Sequence, residues 1–170
     1  MRRRRFTGPR SHREKGNVTL ELALAMPLLL FLVAGVLDLG MLFWEKHVLT
    51  NAAREGARAA AKAVDIGTAV KAELSQSQVR AVVQNYVDQY ALKNLNGSAL
   101  VLDSSTFNYT WTTTGSGTVL TVNLNQIPCQ LLLIPGIKTL FGGSRTSGDD
   151  VFFLNAQTSM AAEWNTPPGP

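Results

Sequence analysis

The chain has 170 residues, 45% of them hydrophobic, and a formal net charge of +4, which suits one folded domain plus a membrane element. The charge is unevenly placed: up to Gly16, seven basic residues face Glu14 alone, and from Asn17 onward nine basic residues meet eleven acidic ones. The excess positive charge therefore belongs to a short leader, and with no basic or aromatic stripe behind it a nucleic-acid partner is disfavoured. Cys129 is the single cysteine, which excludes an intramolecular disulfide and leaves a small buried hydrophobe as its expected role, with an intermolecular bridge as the alternative.

In chain order, the leader carries Arg2, Arg3, Arg4, Arg5, Arg10, Arg13 and Lys15. The run Leu22 to Trp44, "LALAMPLLLFLVAGVLDLGMLFW", follows, with Asp38 its one charge. As a helix it is ~35 Å long, against a hydrocarbon core of ~30 Å, so it spans a bilayer with some tilt. Phe43 and Trp44 make an aromatic edge, and Glu45, Lys46 and His47 return the chain to water. The arginines hold the N-terminus on the cytoplasmic side, which sends everything after Trp44 outside.

Three processing readings compete. A secretory signal needs its small-residue site after the apolar run; "ALA" at Ala23 to Ala25 precedes the run, and past "VAG" at Val33 to Gly35 the run continues. A twin-arginine signal is hinted at by "RRRF", Arg3 to Phe6, but the apolar segment starts too far downstream. A cut after Gly16 keeps the apolar segment, and it alone gives the position of Glu21 a purpose.

A basic leader ending in Gly, with Glu the fifth residue after the cut and opening an apolar helix, resembles the type IV prepilin pattern. "NAAREGAR", Asn51 to Arg58, sharpens this: the chain resembles the TadE-type pseudopilins of the tight-adherence (Flp) pilus system over roughly residues 13 to 64. Leu22 stands where those relatives often carry an aromatic residue. The resemblance implies cleavage between Gly16 and Asn17 by a membrane aspartic prepilin peptidase. It also implies pairing of Glu21 with the N-terminal amine of a neighbouring subunit. The physics fits, because an unpaired carboxylate at the hydrocarbon boundary is costly and a close opposite charge offsets desolvation. Snorkelling of Glu21 to the headgroups, or pairing with its own Asn17, is the plainer alternative. The implied partners are the prepilin peptidase, the major pilin and sibling pseudopilins, the inner-membrane assembly platform and membrane lipid.

Asp38 is the second intramembrane carboxylate, worth roughly 2.5–3.5 kcal/mol against insertion at mid-membrane and less near the edge. Such residues face a partner or water, so a neighbouring subunit, the assembly platform or the outer interface are its expected surroundings. Pro27 removes one helical hydrogen bond and is expected to kink or loosen the helix locally. Beyond the membrane the helix is expected to run to about Val64. His47, Asn51, Arg54, Arg58 and Lys62 make a polar face, and Leu49, Ala52, Ala53, Gly56, Ala57, Ala60 and Val64 the opposite, small-sided one. That face packs either on the chain's own domain or on other subunits.

Ser75 with Gln78 three residues on is a capping-box pattern. Val79, Val82, Val83, Tyr86, Val87 and Tyr90 then follow helical spacing, and Asn96-Gly97 marks the expected stop. The period then changes to two: Phe107, Tyr109 and Trp111, then Leu120, Val122 and Leu124, read as a hairpin joined by a longer turn at "TTGSG". Ala99 to Asp103 is an expected preceding strand. Val151 to Ala162 is a late one, with Phe152, Leu154, Ala156 and Met160 on one face. The apolar stretch Ile127 to Gly143 is expected to form a short helical element on the sheet, or else to contact a subunit or the membrane.

No catalytic pattern emerges: His47 is the one histidine left after the cut, no phosphate-binding glycine loop is present, and "SGDD" at Ser147 to Asp150 reads as a solvated turn. No metal or other cofactor is expected. The expected fold class is α+β and pilin-like, a long N-terminal helix on a small antiparallel sheet with a second helix. Its parts are a leader (1–16), the long helix (17–64, span 22–44), an extracytoplasmic α+β domain (65–164) and a disordered tail (165–170). The expected function is that of a pseudopilin or minor pilin priming or modulating a tight-adherence pilus for surface attachment. The rival from another class is a single-pass anchored binding domain that never enters a pilus.

Overall fold

The computed structural model describes residues 11–65, 67, 69–131, 133–134 and 151–168, with side chains from Val18 onward except at Asp65. The first ten residues of the leader, the rest of the apolar stretch from Pro135, the Ser147 to Asp150 turn and the last two residues lie outside the described residues. The fold is α+β, as expected. Helix α1, Ser11–Ala61, passes Pro27 without interruption. Strands β1 (Ala63–Asp65) and β2 (Val70–Ala72) form a two-stranded antiparallel ribbon. Helix α2 is Gln76–Gln89, and β3 (Phe107–Thr114), β4 (Gly117–Gln130) and β5 (Val151–Ala161) form an antiparallel sheet in the order β3-β4-β5.

The C-terminal half of α1 is the spine of the core. Leu49, Ala52, Ala53, Ala57 and Ala60 are all fully buried, while His47, Arg54, Arg58 and Lys62 lie exposed on the other side. The small side chains let two elements approach one helix. Gly56 faces Val79 and Val83 of α2 and Val122 of β4, so closely that a methyl group there would overlap the Val83 Cγ2 atom. The small-sided face therefore packs on the chain's own domain. Val64 departs from the expectation: the helix stops at Ala61, and Val64 is 44% exposed in β1. The reason is that downstream chain takes the terminal carbonyls. Trp164 Nε1 donates to the Ala60 carbonyl at 2.8 Å, the Glu163 amide to Ala61 at 3.0 Å and the Glu73 amide to Lys62 at 3.1 Å.

Helix α2 starts as its sequence dictates. Ser75 is the N-cap, its amide donates to Gln78 Oε1 at 2.8 Å, and Val79, Val83 and Val87 face α1 and the core. It ends earlier than Asn96-Gly97. The backbone turns off at Tyr90 and Ala91, the latter at φ 50°, and Asn94 to Gly97 forms a separate turn. Ala99 to Asp103 is no strand beyond a single bridge at Ala99. Instead the Gln84 side chain acts as a stand-in strand partner, donating to the Leu100 carbonyl at 2.8 Å and accepting from the Leu102 amide at 2.7 Å.

The β3–β4 hairpin turns on two residues, Gly115-Ser116, rather than on a longer loop, with Thr114 paired to Gly117 at φ 136°. A bulge interrupts β4 between Leu124 and Ile127; Gln126 sits at φ 53° and its amide donates to Asn155 Oδ1 at 2.7 Å. Ala156 is buried and Leu154 and Met160 pack against the core, but Phe152 lies at its open end, 48% exposed. Of the expected tail, Asn165 and Thr166 both donate to the Val70 carbonyl at 3.1 Å, and Ala72 donates to Thr166 at 3.2 Å, so these two residues are strapped across β2.

Candidate functional site: the apolar helix and its two carboxylates

The inner part of α1 is bare. From Val18 to Val33 its large apolar side chains are exposed, Leu24 by 74% and Leu28 by 72%. The helix is long and apolar enough to cross a membrane. Gly16 and Asn17 lie within α1, whose backbone is helical through both. Glu21 is exposed on the same bare stretch. It stands seventeen residues before Asp38, ~26 Å along the axis, so the structure does not bring the two carboxylates together.

Asp38 is 2% exposed. Its carboxylate accepts the Leu133 amide on both oxygens, at 3.0 and 3.1 Å, and the Ile134 amide at 2.8 Å. A carboxylate satisfied by several backbone N–H groups loses most of the cost of leaving water. The side chain thus turns onto its own chain, ninety-five residues downstream, and not to the outer interface. The apolar stretch that was expected on the sheet begins as the last residues of β4, Ile127 to Gln130, and reaches α1 at Leu133 and Ile134. Ile134 Cδ1 lies against Gly35. No signal in the sequence pairs Asp38 with this segment except that both are anomalous: a charge in a long apolar helix, and an apolar run following an alternating strand.

Between α1, the Ala91 to Gly97 turn and the end of β4 lies a cleft of ≈ 320 Å³ lined by Trp44, Glu45, Lys93, Pro128, Cys129 and others. Cys129 is a buried thiol, as its sequence role required. Burial first, then Glu45 beside it, pushes the thiol up to about 12. Since the thiolate is the nucleophile, iodoacetamide at pH 8 is expected to alkylate Cys129 roughly a thousandfold more slowly in the folded chain than in urea. Equal rates, followed by intact mass, would show that the thiol is not held in this environment. The sign for stability follows: the protonated thiol is favoured by the fold, so its contribution is intact below the ordinary thiol range and declines as pH rises from there toward about 12.

An apolar helix long enough for a bilayer, carrying an α+β domain on its C-terminal half, is the class this architecture defines. Residues 16–58 match the model of the TadE-like protein family, in agreement with the resemblance carried by Gly16, Glu21 and "NAAREGAR". No curated protein matches the chain. Nor does any solved structure. The family match covers the bare part of α1 and most of its packed part, and the sheet domain lies beyond it.

Proposed function

We propose that the chain is a pseudopilin or minor pilin of a tight-adherence pilus, made as a precursor and cut after Gly16 by a prepilin peptidase. The observation that carries this reading is the family match, which begins at Gly16 itself and takes in Glu21 and the "NAAREGAR" helix. Cleavage leaves a protonated α-amino group on Asn17, one helical turn from Glu21. In a filament or a membrane encounter, Glu21 meets that amine on a neighbouring subunit, and the bare apolar surface of α1 packs between subunits. Gly16 itself weakens the helix by about 1 kcal/mol relative to Ala, which eases its opening for the peptidase. Asp38 contributes to assembly by fixing the segment it holds against the span. In this reading the N-terminus is cytoplasmic, the domain is outside, and the major pilin, sibling pseudopilins and assembly platform are the partners. The protein works by assembly and not as an enzyme.

The test is the intact mass and N-terminal sequence of the full chain from membranes with and without a prepilin peptidase. A start at Asn17 that requires the peptidase and is abolished by Gly16→Leu is the expected result. An uncut chain would make it an anchored binding domain instead, and a start beyond Val33 would make the apolar run a discarded signal.

A further inference from the structure

The lower rim of the outer domain carries a row of apolar groups that the core does not use. Strand β4 descends along α1: Val119 pairs with Ala161 near the helix end, whereas Pro128 to Gln130 share a cleft with Met41, Trp44 and Glu45. Phe152 and Phe153 of β5 pair with Cys129 and Pro128, so they share that height, and they are 48% and 62% exposed. Tyr90, at the end of α2, meets Trp44 edge-on with ring centroids 6.5 Å apart. Phe43, Trp44, Tyr90, Phe152 and Phe153 thus form an exposed aromatic collar drawn from three elements. Trp and Tyr at one level around an apolar helix are the mark of a membrane–water boundary.

Below the collar the chain continues inward. Leu133 and Ile134 sit at Asp38, six residues before Trp44, which is ~9 Å deeper along the helix axis. The headgroup layer is only ~5–8 Å thick on each side of the bilayer. At that depth water is scarce, and backbone N–H groups must find acceptors within the protein. Asp38 supplies them for two successive residues, and Leu133 is left 40% exposed toward the surroundings of the span.

We infer that residues following β4, Leu133 and Ile134 above all, are lodged in the outer leaflet, with the aromatic collar at the headgroup level and Asp38 as the anchor that makes the buried backbone tolerable. The ligand is lipid: acyl chains around Leu133 and headgroups around the collar. This rests on α1 being a membrane span. It goes beyond the pilin reading because it gives the outer domain its own hold on the bilayer, independent of cleavage at Gly16.

The experiment uses the full chain in phospholipid nanodiscs, in a Cys129→Ala background, with single nitroxide labels at Leu133→Cys, Phe153→Cys, Leu30→Cys and Thr112→Cys. Power-saturation measurements compare accessibility to oxygen, which concentrates in lipid, with that to a water-soluble nickel chelate. The expected oxygen-to-nickel ratio at Leu133 is several-fold above that at Thr112 and approaches that at Leu30, with Phe153 between. Adding Asp38→Leu is expected to move the Leu133 label toward the Thr112 value, and Asp38→Asn, which keeps one acceptor oxygen, to restore much of its depth. A deep Leu30 label with Leu133 and Phe153 in water would overturn the inference and leave the span intact. An aqueous Leu30 label would overturn the span and the inference together. A Leu133 label equally deep with Asp38→Leu would overturn the anchor.

Discussion

Gly56→Leu is expected to unfold the α+β domain, and Gly56→Ala to destabilise it by a smaller amount. The methyl of alanine already overlaps Val83 Cγ2. Val83 is fully buried within α2, and a valine in a helix has one strongly preferred rotamer, so it cannot turn aside cheaply. Overpacking of this kind costs about 1–3 kcal/mol, against about 1 kcal/mol regained from helix propensity. The net for alanine is therefore a loss of up to about 2 kcal/mol, or up to roughly 8 °C in melting temperature for a chain of this size. Leucine has no room at all between α2 and β4. Thermal unfolding of the full chain in detergent, followed by tryptophan fluorescence, reads both. An unchanged melting temperature for the leucine variant would mean that α1 and α2 are not in contact at Gly56.

The second large effect is at Trp164. It is 3% exposed and donates its indole N–H to the Ala60 carbonyl, joining the end of the chain to the end of α1. Trp164→Ala removes both the buried ring and the hydrogen bond, and about 3–5 kcal/mol of stability is expected to go with them. Trp164→Phe keeps most of the apolar contact and is expected to lose less, about 1–3 kcal/mol, because the buried Ala60 carbonyl loses its donor. The two variants differ most in hydrogen exchange at β1 and β2, whose neighbour is the strapped segment Asn165 and Thr166. Protection there equal to that of the parent in Trp164→Ala would contradict the strap.

What could be read from the sequence was what is decided locally. The Ser75 and Gln78 cap, the valine row of α2 and the small-sided row from Leu49 to Ala60 follow from spacing within a few turns, and they are found where the spacing put them. The alternating strands are local in the same sense. Three of the misses are places where a distant group supplied what local structure would have supplied. Gln84 took the hydrogen bonds that would have made Ala99 to Asp103 a strand. Val70 and Ala72 captured a tail whose Pro-rich composition reads as unstructured. Trp164 and Glu163 closed α1 before Val64. For the carboxylates the division is the same. Glu21 was legible as a residue at a helix entrance, whereas the partners of Asp38 come from a segment ninety-five positions away and no periodicity points to them.

The manner in which β4 and β5 lie along α1 has a mechanical consequence. The domain grips the helix along its C-terminal part, from Val48 at one end to Ala60 and Ala61, where Trp164 and Glu163 close over it. A pull along the helix axis therefore loads these contacts side by side, in shear, and no single contact can yield first as it would if the sheet were peeled away from one end. Force applied to the bare part of α1 is delivered to β4 and β5 together, so the chain can be drawn lengthwise as one rigid piece.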